Sequence, residues 1–260
     1  MRRSRLPWIV AGAVLLFLYL PILALVVNSF NASRFGGSWR GFTLAWYARL
    51  FHEPEIWRAA RTTLVIALGA TALSVLLGTT AALALHRFGR SRLQRAHFTL
   101  LYAPLIMPEI LMGIGLLMVF AATGLRLGMG TILLAHVTFC LSFVAMVVLA
   151  RLQDFDESTI EASRDLGAGV WTTFRRVRLP LIAPGIAAGA LLAFTLSVDD
   201  FVITFFVAGP GSTTLPIRIY SMIKHGSPPL INALSTILLV VTFAALAVSQ
   251  RLSRPASGGP

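Results

Sequence analysis

The sequence predicts an all-α polytopic membrane protein with six transmembrane helices and both termini in the cytoplasm, and three observations carry that prediction. Hydrophobic residues make up 57% of the 260-residue chain and charged residues only 12%, where an ordinary globular domain carries about a quarter charged. A span needs ~20 largely apolar residues to cross a hydrocarbon core of ~30 Å. Six stretches meet that need, at 8–30, 62–85, 99–123, 130–150, 183–207 and 230–250. The basic residues are uneven as well. With the N-terminus inside, the inner segments 1–7, 86–98, 151–182 and 251–260 carry 3, 4, 5 and 2 Lys or Arg, against 5, 1 and 2 in the outer segments 31–61, 124–129 and 208–229, the positive-inside bias. Little chain is left for a soluble domain, so a single transmembrane domain over 1–260 is expected.

The first span follows Met1-Arg-Arg-Ser-Arg5 in the manner of a signal peptide. Its apolar run exceeds a 7–15 residue h-region and no A-x-A site follows, so an uncleaved start helix is expected. The outer loop holds Trp46 and Tyr47 within Phe42-Thr-Leu-Ala-Trp-Tyr-Ala-Arg49. Such rings serve an interfacial belt or hold an ammonium through cation–π attraction. The third span contains Pro104, Pro108 and Glu109; proline removes a backbone hydrogen bond and kinks a helix, and the freed carbonyls need partners. Glu109 is read either as a cavity-lining acid or as a glutamate bonded to neighbouring helices. Methionines 107, 112 and 118 follow no stripe and read as packing. In the fourth span, His136 has no metal-spaced companion and reads as a hydrogen-bonded packing residue. Cys140, the single cysteine, rules out a disulfide framework or a thiolate cluster.

The inner loop 152–180 predicts a helix-turn-helix elbow. Ser158-Thr-Ile-Glu161 has the form of a capping box, Gly167-Ala-Gly169 supplies a left-handed stop, and Val170–Arg178 predicts a second helical piece ending at Leu179-Pro180, because proline disfavours helix in the residue before it. In the fifth span Gly185-Ile-Ala-Ala-Gly189 is a small-xxx-small pattern that admits a close helix, from this chain or another. Further on, Asp199 and Asp200 sit together in an apolar run. A carboxylate facing lipid costs roughly 2.5–3.5 kcal/mol on insertion scales, so intramembrane acids face a bundle interior or a watery cavity. At ~1.5 Å per residue from Ala183, Asp199 lies roughly 24 Å along the span, in its outer half. Adjacent helical residues point ~100° apart, which leaves two roles open: one acid lining a cation path, and the other capping a helix break or pairing.

Several function classes are excluded. The net charge of +12 sits mostly in short juxtamembrane loops, where topology and anionic headgroups account for it, so no nucleic-acid partner is expected. Lys224, the sole lysine, follows Ile223; with no Gly-Lys there is no P-loop, and ATP would be used by another chain. Ser197 and Val198 precede Asp199, so the Gly-x-Gly-Asp of an intramembrane aspartyl protease is absent, as is His-Glu-x-x-His. No enzyme, metal site or cofactor bound by this chain is expected.

Glu161-Ala162-Ser163, three residues, Gly167, nine residues, Val177, one residue, Leu179-Pro180 resembles the EAA-x3-G-x9-I-x-LP signature of permease subunits of bacterial ABC importers. Ser163 and Val177 stand for alanine and isoleucine. Tyr102–Leu111, Ala135–Cys140, Leu192–Asp200, Gly209–Pro216 and Asn232–Leu239 together look like the polyamine branch, the putrescine/spermidine permeases. The resemblance implies a type I importer permease fold in the bacterial inner membrane. It also implies a loop 152–180 that couples to the ATPase, and a complex with a second permease chain, two ATP-binding subunits and a periplasmic binding protein. On that reading Asp199, Asp200, Ser197, Glu109, Trp46 and Tyr47 are candidates for the polyamine path. Permeases for amino acids, other cations or metal chelates share the scaffold. A stand-alone ion-coupled secondary transporter, with the aspartates as proton or sodium sites, is the alternative of another class. The absence of a visible internal repeat argues against it.

Overall fold

The computed structural model describes residues 6–34, 38–87, 92–154, 156–224, 226 and 228–252. The basic start Met1–Arg5 and residues 253–260, which entered the charge comparison, lie outside the described residues. The described chain is helical apart from loops and one isolated bridge between Asn31 and Phe42. It divides into two compact units, one of residues up to 56 and from 219 onward, the other of residues 57–218.

In the first unit, α1 (Leu6–Asn28) is apolar all round and buries none of its residues, the pattern of a helix solvated by something other than water. It packs on α12 (Pro228–Leu252), which also meets the short α2 (Ala45–Phe51). Asn31, 2% exposed, organises the turn after α1. Its Oδ1 accepts the amides of Ser33 at 3.1 Å and Arg40 at 2.9 Å, while its Nδ2 donates to the Ser38 carbonyl at 3.1 Å. A buried amide is tolerated when its donors and acceptors are used in this way.

The second unit is built round α6 (Met129–Gln153), whose residues Ile132, Cys140, Val144, Val148 and Leu152 are fully enclosed. Against it lie α3 (Pro54–Arg87), α4 (Arg92–Ile106) and α9 (Leu179–Asp199). Backbones approach closely because the contacts are glycine. A Cβ at Gly78 would stand 2.8 Å from the Leu141 carbonyl and 2.9 Å from the Val144 Cβ; one at Gly185 would stand 2.8 Å from the Arg151 Cβ, and one at Gly189 3.3 Å from the Val144 Cγ1. The Gly185–Gly189 pattern therefore receives α6 of its own chain. The next layer is α5 (Glu109–Ala122) on α10 (Val202–Val207), where Gly113 faces Phe206.

Four helices among the described residues are long and apolar enough to cross a membrane: Leu6–Asn28, Pro54–Arg87, Met129–Gln153 and the continuous run Val170–Asp199. The pair α4 and α5 qualifies only when taken together, as a broken span or a re-entrant loop bent by 115°, and Pro229–Ala244 is a shorter apolar helix. Two expected spans thus differ in form. The third is broken at Met107-Pro108 instead of kinked, because Pro108, with φ −57° and ψ 133°, stands outside the helix and starts a new one. The fifth ends at Asp199; Asp200 is extended, at φ −61° and ψ 122°, and α10 follows.

The elbow departs from expectation in two places. No capping box forms at α7 (Ser158–Asp165): the Ser158 amide donates to Asp156 Oδ1 at 2.9 Å, so Asp156 takes the amide assigned to Glu161, which is exposed. Leu179-Pro180 does not end the second helix. The chain runs from α8 (Val170–Thr173) through a π-helical turn at Phe174–Arg178 straight into α9. A wider turn accommodates a residue with no N–H to give.

Candidate functional site

Two clusters in the second unit hold the polar side chains that the apolar packing leaves over. The first lies at the break between α9 and α10. Asp200, 9% exposed, turns back over the start of α10. Its Oδ1 accepts the Ile203 amide at 3.3 Å, and its Oδ2 accepts the Thr204 amide at 2.8 Å and the Thr204 hydroxyl at 2.6 Å. This is the arrangement by which an aspartate satisfies the orphan donors of a helix start. From α6, His136 Nε2 comes to 3.2 Å from the same Oδ2 and 2.9 Å from Thr204 Oγ1, while its Nδ1 lies 2.7 Å from the Ser197 hydroxyl. His136, Ser197 and Thr204 are all buried. His136 is therefore the hydrogen-bonded packing residue expected, though its partners were not foreseen.

Asp199, one residue away, is exposed and makes no hydrogen bond or ion pair with another described side chain. Glu109 is exposed too, in the first turn of the helix that packs on α10. Trp46 and Tyr47 belong to the first unit and are committed there by their polar tips. Trp46 Nε1 donates to the Asn31 carbonyl at 2.8 Å, and the Tyr47 hydroxyl lies 2.6 Å from Ser29 Oγ; the Tyr47 ring also leans on Phe30 at 5.4 Å. Among the described residues no group of His, Cys, Asp and Glu could hold a metal ion.

The elbow forms the second cluster. At the end of α7 the Ala168 amide donates to the Ser163 carbonyl at 3.1 Å and the Gly167 amide to the Arg164 carbonyl at 2.8 Å, with Gly167 at φ +84°. This is a complete Schellman stop, which explains the glycine. Ser163 Oγ lies 3.1 Å from Thr173 Oγ1, tying the two arms together. Val177 is half-buried in the π turn, while Glu161, Ala162, Leu179 and Pro180 are exposed. Leu166, Val170 and Trp171 are bared as well, at 89%, 71% and 70%, a large apolar face on a polar loop.

Behind that face Glu157 bonds the elbow to the end of α3. His86 Nε2 sits 2.7 Å from its Oε1 and Arg178 Nη2 3.2 Å from its Oε2. The hydrogen bond from His86, with the charge of Arg178 adding to it against partial burial, holds the Glu157 carboxyl below the usual glutamate range. Asp156 is likewise held low by the Ser158 amide. A cavity of about 730 Å³ opens between His86, Glu157, Arg164, Trp171, Phe174 and Arg178. Sequence reasoning missed Glu157 and His86; they are 71 residues apart, and no local spacing marks the pair.

Residues 74–254 match the family described as binding-protein-dependent transport system inner membrane component. The chain is 43% identical over 247 residues to the spermidine/putrescine transport system permease protein PotC of Escherichia coli K12, covering 95% of this chain and 93% of that protein. It is 44% identical over 243 residues to the putrescine transport system permease protein PotI of the same strain, covering 90% and 86%. In fold it resembles a chain of a bacterial ABC transporter involved in the import of the acidic polysaccharide alginate, with a TM-score of 0.73, 17% identity, and 98% and 99% of the two chains covered.

Proposed function

The chain belongs to the binding-protein-dependent transport system inner membrane component family, and on that premise we propose that it is the membrane-spanning permease subunit of an ATP-driven importer of polyamines, spermidine or putrescine. The observation that carries this reading is identity above 40% to polyamine permeases over nine-tenths or more of the chain. It works in a bacterial inner membrane. We assign it six spans, the broken third and fifth included, with both termini cytoplasmic and a single permease domain over 1–260.

The mechanism follows from the two clusters. Asp199 and Glu109 are exposed acids on apolar helices, where facing lipid would be costly; they serve a diammonium substrate that must be held weakly enough to leave. In the first unit the rings of Trp46 and Tyr47 offer cation–π faces; in the second, Ser197 and Asp200 support the acids from within the protein. ATP is hydrolysed on two separate subunits. The elbow 152–180, with Glu161, Ala162, Ser163, Gly167, Val177, Leu179 and Pro180, receives their closure through its bared apolar face and passes it to α9 without a joint, since the helix is continuous from Val170 to Asp199. A second, homologous permease chain completes the core, and a periplasmic binding protein delivers the substrate.

The test is assembly of the chain in nanodiscs with its candidate partner permease and ATP-binding subunits. Binding protein loaded with putrescine or spermidine is expected to stimulate ATP hydrolysis several-fold over the unloaded protein. Equal stimulation by a binding protein loaded with an amino acid, or none by polyamine, would overturn the substrate assignment. An ion-coupled carrier would transport without the ATP-binding subunits.

A further inference from the structure

Two adjacent acids meet at one helix break, and their surroundings differ: Asp200 is buried and Asp199 exposed. We propose that Asp200 and His136 form a buried staple that holds the α9–α10 break open, so that Asp199 alone presents its carboxylate to the cation path. His136 and Asp200 are then positioning residues and Asp199 the contact. This rests on the reading of the chain as a polyamine permease only where it concerns the cation; the staple itself does not depend on it.

Hydrogen-bond bookkeeping at the break supports the division. Asp200 Oδ2 already faces three donors, the Thr204 amide, the Thr204 hydroxyl and His136 Nε2, and Oδ1 takes the Ile203 amide. A carboxylate so supplied and 9% exposed has no opening left for an ammonium group. One set of donors and acceptors pairs every group. The Thr204 hydroxyl donates to Asp200, so its oxygen is free to accept from His136 Nε2–H, and the Ser197 hydroxyl donates to Nδ1. The staple reaches across three elements: His136 on α6, Ser197 at the end of α9, and Asp200 with Thr204 at the start of α10. Without it, the orphan amides at the start of α10 would be buried unpaired beside an apolar core. With it, the backbone is held extended at Asp200 and the preceding side chain is left outside.

The substitution chemistry is specific. Asparagine at 200 keeps one acceptor oxygen, which can take the Thr204 amide and hydroxyl while its NH2 stands against the Ile203 amide, so it restores only part of the network. Alanine has no acceptor at all.

The test uses the assembled importer. Cys140, the single cysteine, is buried, so Asp199→Cys and Asp200→Cys report their own positions to a cationic methanethiosulfonate reagent. Labelling at 199 is expected to be at least tenfold faster than at 200; equal rates, or faster labelling at 200, would overturn the proposal. Melting temperature and uptake kinetics follow. Asp200→Ala is expected to lower the melting temperature and Vmax, and Asp200→Asn, with one acceptor left, to recover both in part. Asp199→Asn is expected to melt as the parent does and raise the KM for putrescine about tenfold, the scale of a lost charged hydrogen bond. An Asp200→Asn variant that melts normally but shows the raised KM of Asp199→Asn would make Asp200 a contact. One that melts like Asp200→Ala would show that the hydrogen bonds left to the remaining oxygen do not hold the break, and would overturn the staple. Failure of the parent complex to carry polyamine would remove the substrate reading, while labelling and melting would still decide the staple.

Discussion

Replacement of Gly167 isolates what the elbow contributes to coupling. The residue sits at φ +84°, and a Cβ built there meets nothing within 4 Å, so a side chain brings no clash and the whole cost is backbone strain. For an L-residue in the left-handed region that cost is roughly 1–2 kcal/mol, which reduces the population of the closed turn about 5- to 30-fold. Asparagine tolerates the region better than alanine, and a β-branched residue worse. The expected order of coupling is therefore Gly, Asn, Ala, Val, with the chain inserted normally in all four. Gly169, two residues on, provides the control: its surroundings are equally open but its φ is −65°, so Gly169→Ala leaves the turn intact. The assay is binding-protein-stimulated ATP hydrolysis alongside uptake, with hydrogen exchange at the Ala168 amide, which donates to Ser163 in the Schellman stop, as the local readout. Normal uptake and unchanged exchange in Gly167→Val would refute the role given to the turn.

Gly78→Ala is expected to destabilise the second unit by about 1–3 kcal/mol, because the nearest atoms, the Leu141 carbonyl at 2.8 Å, the Val144 Cβ at 2.9 Å and the Ala145 nitrogen at 3.0 Å, belong to the backbone or are fixed to it and cannot step aside; Gly115→Ala, with open space around it, should melt as the parent does. Glu157 contributes through a depressed carboxyl. Its stabilisation is present above the ordinary value near 4.5 and is lost as pH falls through the lower folded value. Its side chain is 45% exposed, which limits the effect to about 0.2–1 kcal/mol. In a variant keeping Trp171 as its one tryptophan, fluorescence is expected to show this acid transition below pH 4.5 and to lose it in Glu157→Gln. In the first unit, Trp46→Phe removes the bond to the Asn31 carbonyl at a cost of about 0.5–1.5 kcal/mol, to be read as a lower melting temperature without a change in insertion.

The parts of the fold legible in the sequence are those set by local pattern. Apolar length marked α1 and α6 within a few residues and the end of α3, which starts at Pro54, ahead of the expected 62; the glycine at 167 marked its own turn, and the prolines at 104 and 108 marked a disturbance in the third span. What local pattern could not settle is where a tertiary partner decides. The break at Asp200 lies in a run that reads as uninterrupted apolar helix; it is capped by the aspartate itself and braced by His136, 64 positions earlier in the chain. Ser158-Thr-Ile-Glu161 carries the letters of a capping box, but Asp156 reaches the Ser158 amide first. Leu179-Pro180 looks like a stop, and a π turn carries the helix through it. The glycines at 185 and 189 announced a close helix without saying whose; Val144 and Arg151 of the same chain answer.

ATP-dependent uptake of radiolabelled putrescine and spermidine into proteoliposomes, holding this chain with its partner permease, two ATP-binding subunits and binding protein, tests the central claim most directly. The account predicts saturable uptake that requires ATP, is unaffected by collapsing ion gradients, and falls sharply in Asp199→Asn although the complex assembles. Absence of uptake for both polyamines with ATP hydrolysis intact, or uptake driven by an ion gradient without ATP, would contradict it.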